Sequence, residues 1–268
     1  MIVLGFVFAA LIGLSLGLLG GGGSILTVPV LVYVLGFAAK PAIAMSLPVV
    51  GVTSLIGAGL HWRHGNVRVG TAFLFGAFAM VGAYGGARLA MFVSGAAQLV
   101  ILAIVMLAAA VSMLRGRREE PVERAKPPRV GLIAPVALAV GALTGLVGIG
   151  GGFLVVPALA LLARVPMREA VGTSLLVIAL NSAAGFAGYV GTVPIDWTFL
   201  AGFAAVAVLG ALVGTMLVRR VPVAALRRGF AVFLVIIGAF VLYMNRGVLT
   251  GSMSSSDTMP RGRPAVSS

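Results

Sequence analysis

Two stretches decide the fold of this chain: GLLGGGGSILTVP, from Gly17 to Pro29, and GLVGIGGGFLVVP, from Gly145 to Pro157. They align residue for residue at an offset of 128. The same offset carries Ser46-Leu47 onto Ser174-Leu175, Ser54 onto Ser182, and Gly82 and Gly86 onto Gly210 and Gly214. Only the loop near Gly65 shifts, by two residues, so that Gly65 falls opposite Gly191. One glycine-rich match would mean little in a glycine-rich chain. A constant offset across several segments marks an internal duplication.

Outward from these motifs, apolar segments run over 1–19, 25–38, 41–60, 69–87 and 96–114. The series recurs over 131–147, 153–163, 169–190, 198–218 and 224–244. This places one membrane repeat at 1–114, a polar loop at 115–130, a second repeat at 131–244 and a tail at 245–268. The tail is rich in Ser, Pro and Gly without apolar period, and is expected to be disordered. Hydrophobic residues make up 60% of the chain, charged residues 9%, and the mean hydropathy is +1.16. A water-soluble domain needs more charge on its surface, so the solvent for most of these residues is lipid. Many of the segments approach or exceed the roughly 20 residues that cross a bilayer core.

The net charge of +13 does not signal nucleic acid, because the Arg residues sit in short loops and form no basic face. Cytoplasmic loops of membrane proteins are basic, which accounts for the charge. No cysteine is present, which excludes disulfides, thiolate metal sites and thiol catalysis. No Lys or Arg precedes Lys40, so the first segment lacks the basic start of a secretory signal and is expected to stay as a membrane element.

Orientation follows from Lys and Arg. With Arg261 and Arg263 of the tail left out, the two sides would carry nine and eight basic residues, with no bias, if each Gly-rich region lay inside one continuous crossing. If the chain turns back there, fourteen share a side: Arg63, Arg68, the six of the central loop, Arg164, Arg168 and the four of 219–228. Lys40, Arg88 and Arg246 face them. Only the second arrangement has the asymmetry that cytoplasmic loops show. It predicts an all-α polytopic protein of two inverted repeats, each a Gly-broken helical hairpin plus about three transmembrane helices. The central loop is then cytoplasmic and the termini lie outside. Two full crossings flanking the glycines would give the same parity. The segment Ile25 to Ala38 reaches only about 21 Å as a helix, which favours a re-entrant arm.

The Gly-rich turns carry the chemistry that can be read. A helix starting at Gly20, Gly22, Gly23 and Ser24, or at Gly148, Gly150, Gly151 and Gly152, would present unpaired N–H donors and the positive end of its dipole. Glycines let that backbone approach a ligand, and Ser24 can cap or donate. Such an end suits an anion. The competing reading is close helix packing, in which small residues recur every four positions. Gly82–Gly86 and Gly210–Gly214 fit packing, whereas consecutive glycines weaken a helix and gain nothing at such an interface.

The third segment of each half adds Ser46, Thr53 and Ser54, matched by Ser174, Asn181 and Ser182. The i, i+7, i+8 spacing puts each trio on one helix face. These groups can coordinate an anion, or they can bond between helices or back to the preceding turn. All six acidic residues lie in loops, at segment edges or in the tail, so no carboxylate marks a coupling-ion path. His61 and His64, in HWRH, read as interfacial anchors rather than a metal pair. No catalytic motif is present, and no His or Cys lies in a span, so the chain reads as neither an enzyme nor a cofactor protein.

At these motifs the sequence resembles the TauE/SafE family, also called the 4-toluenesulfonate uptake permease family. The resemblance is carried by residues Gly17 to Leu31 and Gly145 to Leu159, with AMSL from Ala44 and GTSL from Gly172 as a second block. It extends from residue 1 to about 244. It implies uptake or export of sulfite, sulfonates or related sulfur-containing anions in a prokaryotic plasma membrane, with substrates that vary among members. Gly21 stands opposite Ile149 and Ser24 opposite Gly152, so a site shared by the two clusters is not symmetric. The expected protein is an alternating-access carrier whose partners are a small anion and the bilayer. An anion channel and a non-transporting membrane scaffold stay open as alternatives, as does homo-oligomerisation.

Overall fold

A computed structural model describes residues 2–114, 130–148, 150–161, 165–217 and 223–249. The central loop at 115–129 and the tail beyond Leu249 lie outside the described residues. Among those described the chain is helical, with no strand. Helix α1 (Ile2–Leu19) runs directly into a 3-10 turn at Gly20–Leu26, then the short α2 (Thr27–Pro29) and a π turn at Val30–Val34. Helices α3 (Ala39–Arg63), α4 (Val69–Leu89) and α5 (Gly95–Leu114) complete the first half. The second half holds α6 (Val130–Val147), α7 (Gly152–Leu161), α8 (Met167–Tyr189), α9 (Trp197–Leu217) and α10 (Val223–Met244). A final turn, α11 (Arg246–Leu249), begins the expected tail, and Asn245 before it donates from Nδ2 to Tyr33 Oη at 2.7 Å.

Helices α3, α4, α8 and α9 are long and apolar enough to cross a membrane. Together with the shorter apolar helices they make a polytopic membrane protein. Gly65 (φ +70) and Gly191 (φ +78) turn α3 into α4 and α8 into α9. Side chains other than glycine are strained at such angles. Helix α3 continues through Pro48.

The first helix of each half does not pack chiefly on its own half. Helix α1 lies along α9, and α6 along α4. Both pairs run parallel: a Cβ at Gly13 would fall 1.8 Å from the Ala207 carbonyl oxygen, and at Gly17 2.2 Å from that of Ala211. The other pair repeats this at the sequence offset: a Cβ on Gly141 would fall 2.0 Å from Ala79 O, and one on Gly145 1.9 Å from Ala83 O. Gly82, Gly86, Gly210 and Gly214 face back across the same seams onto backbone carbonyls. Small residues at four-residue spacing let the two backbones touch, and van der Waals contact between them drives association in lipid. These glycines are packing residues, and Gly17 and Gly145 join them.

At the centre α3 meets α8, and these matched helices run antiparallel: Gly51 abuts Ser182, Gly57 abuts Leu175, and Gly172 abuts the Asn66 carbonyl. They are the two most buried of the four long helices. At one end of the crossing the Arg68 side chain pairs with Glu169, and Arg68 N–H donates to Thr173 Oγ1 at 3.0 Å. Arg63 and Arg168 therefore share that end. At the other end Lys40 Nζ donates to the Met91 carbonyl at 3.0 Å, and Phe37 stacks near Phe199 at the start of α9.

Candidate functional site

Both Gly-rich regions turn the chain back on itself. Gly23 lies against Ser15 and Leu16, and Gly5 against Leu35, so the arm after Gly20 descends beside α1. Gly151 lies against Thr144 and Val140, so α7 likewise descends beside α6.

The turns themselves differ. In the second, three glycines take left-handed angles: Gly148 (φ +74), Gly150 (φ +70) and Gly151 (φ +70). Gly148 N–H closes α6 on the Thr144 carbonyl at 2.8 Å, and Gly151 O receives Leu154 N–H and Val155 N–H as α7 starts. The donors before Leu154 then have no partner inside that helix. In the first turn no glycine has positive φ, and Gly20–Leu26 is one 3-10 helix. Its i to i+3 bonding engages N–H groups that a fresh helix start would leave open. The expectation of a new helix beginning at Gly20, Gly22, Gly23 and Ser24 is corrected here. Four adjacent glycines can wind tightly, whereas in sequence Ile149 interrupts the other cluster.

Each turn is held by the opposite half. A Cβ on Gly148 would meet Ser46 Oγ at 2.6 Å, and Ser46 Oγ lies 2.8 Å from the Gly148 carbonyl it can donate to. The same hydroxyl is 2.6 Å from Ile43 O, so its one proton serves either acceptor. Gly150 sits between Val50 of α3 and Ile178 of α8, positions matched at the offset of 128. The 3-10 turn of the first half packs against α7, α8 and α3.

The two hydroxyl faces divide into engaged and open groups. Thr53 Oγ1 bonds back to Val49 O at 2.7 Å and Val50 O at 3.0 Å, and Ser174 Oγ to Val171 O at 2.8 Å. Ser54, Asn181 and Ser182 are 1%, 0% and 0% exposed, and Ser54 Oγ, Ser182 Oγ and both polar atoms of Asn181 have no hydrogen-bond partner. All three follow Val50 and Ile178 by one helical turn, so they lie on the faces that flank Gly150. Ser24 is fully buried. Gly152 is the first residue of α7.

Sequence reading passed over Thr27 and Gln98. Thr27 Oγ1 is buried without a partner on the returning arm, opposite Val155 in the second half. Gln98 is buried on α5 and donates from Nε2 to Ala90 O at 3.0 Å. The Thr27–Val155 mismatch inside an otherwise matched motif was the available signal.

A helical membrane protein with paired chain reversals and unpartnered polar groups at its centre has the form of a membrane transporter. The comparisons give the family. A family profile described as sulfite exporter TauE/SafE matches residues 5–241, and the chain belongs to that family. A "Probable membrane transporter protein" of Xylella fastidiosa is 33% identical over 240 residues, covering 87% of this chain and 92% of the relative. The "Probable membrane transporter protein YdhB" of Bacillus subtilis is 26% identical, covering 87% and 97%. No solved structure matches the chain.

Proposed function

We propose that this transporter carries small anions, sulfite or organosulfonates among them, by alternating access between two inverted repeats in the plasma membrane. The observation that carries the reading is the set Ser54, Asn181 and Ser182, buried at the α3–α8 crossing with no partner. A buried polar group without a partner costs about 1–3 kcal/mol, and a solute that satisfied several at once would recover that cost. Hydroxyls and an amide offer N–H and O–H donors without a competing carboxylate. The start of α7 at Gly152, reached through Gly150 and Gly151, adds backbone donors and the favourable end of a helix dipole, individually about 0.3–2 kcal/mol. The family's description names sulfite, which supports that substrate class.

Reconstitution in proteoliposomes tests the reading with sulfite, thiosulfate, sulfonates and chloride, each with and without a pH gradient. Saturable flux of one or more of these at carrier rates is expected. Conductance far above such rates would make the protein a channel, and silence toward every anion would remove transport of anions altogether. Gly151→Val should abolish flux while the protein still inserts, because position 151 needs a left-handed angle and has Thr144 Oγ1 at 2.4 Å from a Cβ.

A further inference from the structure

We infer that the site at the α3–α8 crossing takes singly charged oxyanions and excludes doubly charged ones of the same size. The inference rests on the anion-transport reading and narrows it.

Formal charge is confined to the ends of the elements that surround the crossing. Helix α3 carries charge only at Lys40 and Arg63, α8 only at Arg168 and Glu169, and α1, α6 and α7 carry none. What stands at the centre is neutral: two N–H bonds on Asn181 and one O–H each on Ser54 and Ser182, all buried and without partners. The α7 N-terminus joins them through Gly150, held between Val50 and Ile178 one turn away.

For a site of this kind the charge of the solute decides. The cost of taking an ion out of water grows as the square of its charge. Its attraction to fixed neutral dipoles grows only in proportion to charge. Doubling the charge therefore makes the cost fourfold and the return twofold. Proteins that hold multiply charged oxyanions commonly offset the difference with Arg forks, and among the described residues of α3 and α8 Arg stands only at the helix ends, at Arg63 and Arg168.

The three side chains do not contribute equally. Asn181 supplies two of the four donors, and its counterpart Thr53 is bonded to its own helix. Recognition is thus weighted toward α8, with Asn181 as the specificity-determining residue.

The test compares methanesulfonate with sulfate, tetrahedral anions of similar size that carry one and two charges. The full chain is reconstituted in proteoliposomes, and uptake of each is followed at fixed membrane potential. Methanesulfonate is expected to be carried at least about tenfold better than sulfate. Apparent affinity for sulfite should fall as pH rises and the doubly charged form replaces the singly charged one. Equal carriage of methanesulfonate and sulfate would overturn the inference and leave anion transport standing, whereas transport of neither, nor of any other anion, would overturn transport itself.

Two variants locate the preference. Asn181→Thr, which copies the residue of the first half, should raise the methanesulfonate KM by about tenfold, the loss of roughly one hydrogen bond. An unchanged KM would overturn the role of the amide. Asn181→Lys, checked for folding by its melting temperature in detergent, should shrink the preference over sulfate, and an unaltered ratio in folded protein would count against the charge argument. Should that variant not fold, the Asn181→Thr measurement and the methanesulfonate-to-sulfate ratio still decide.

Discussion

Ser46 and Thr53 lie seven residues apart on one face of α3, yet their hydroxyls have different tasks. Ser46 reaches the Gly148 carbonyl of the other half at 2.8 Å, while Thr53 bonds only to its own preceding turn. Ser46→Ala would leave that buried carbonyl short of a donor, at a cost of about 1–3 kcal/mol. It is expected to lower the melting temperature in detergent and to slow transport. Thr53→Val removes a hydroxyl that no other element uses, and should change stability by less than about 1 kcal/mol with transport kept. Side-by-side melting and flux measurements check both, and a reversed order would undo the division of the face into engaged and open groups. From sequence the six polar residues of the two faces could be placed, because i, i+7, i+8 spacing is a property of the helix. Which of them bond backward could not, because a serine or threonine rotamer depends on what faces it. The same limit applies to Gly20, Gly22 and Gly23. Consecutive glycine predicts a break, but a 3-10 winding is equally open to it, and the sequence does not choose between them.

Between elements, the seams of glycine and alanine set the geometry. Gly85 and Gly86 are adjacent in α4 but meet different surroundings: a Cβ on Gly85 touches nothing within 4 Å, while one on Gly86 falls 2.1 Å from Ala142 O. Gly86→Ala should therefore push α6 away and destabilise by about 1–3 kcal/mol or more. Gly85→Ala should be neutral or slightly stabilising, since glycine is the poorer helix former by about 1 kcal/mol. Melting of the purified variants by fluorescence-detected gel filtration separates the two. Equal effects would mean that α4 and α6 are not in backbone contact. Segment positions were legible in the sequence because lipid demands long apolar runs, and the described helices follow those runs closely. The partners of those segments were not legible, since a small-residue seam names a face without naming what covers it.

For the whole molecule, the two ends of the helix bundle carry different charge. Arg63, Arg68 and Arg168 gather at the end where α3 turns into α4, and Lys40 and Arg88 mark the other. Among the described residues this grouping is the one that a turning back at each Gly-rich region requires. The bundle lacks cysteine, so single thiols can be added without background. His64→Cys should be shielded in intact cells from a membrane-impermeant maleimide, and Val190→Cys should be labelled. The opposite pattern would invert the expected orientation, and labelling of both from one side would remove it. His64 and Val190 are exposed, and both flank tight turns, so neither substitution disturbs the core.

The exchange of first helices between halves also fixes an order of biogenesis. While the ribosome delivers the amino-terminal half, the glycine face of α1 at Gly13 and Gly17 has no companion, because that companion is Ala207 to Thr215. Helix α1 must wait in lipid, or in the care of the insertion machinery, until α9 has been synthesised. The opposite seam closes far sooner, once Gly141 and Gly145 of α6 emerge beside the waiting α4. Assembly is thus expected to start from α4 and α6 and to finish with α9 locking onto α1.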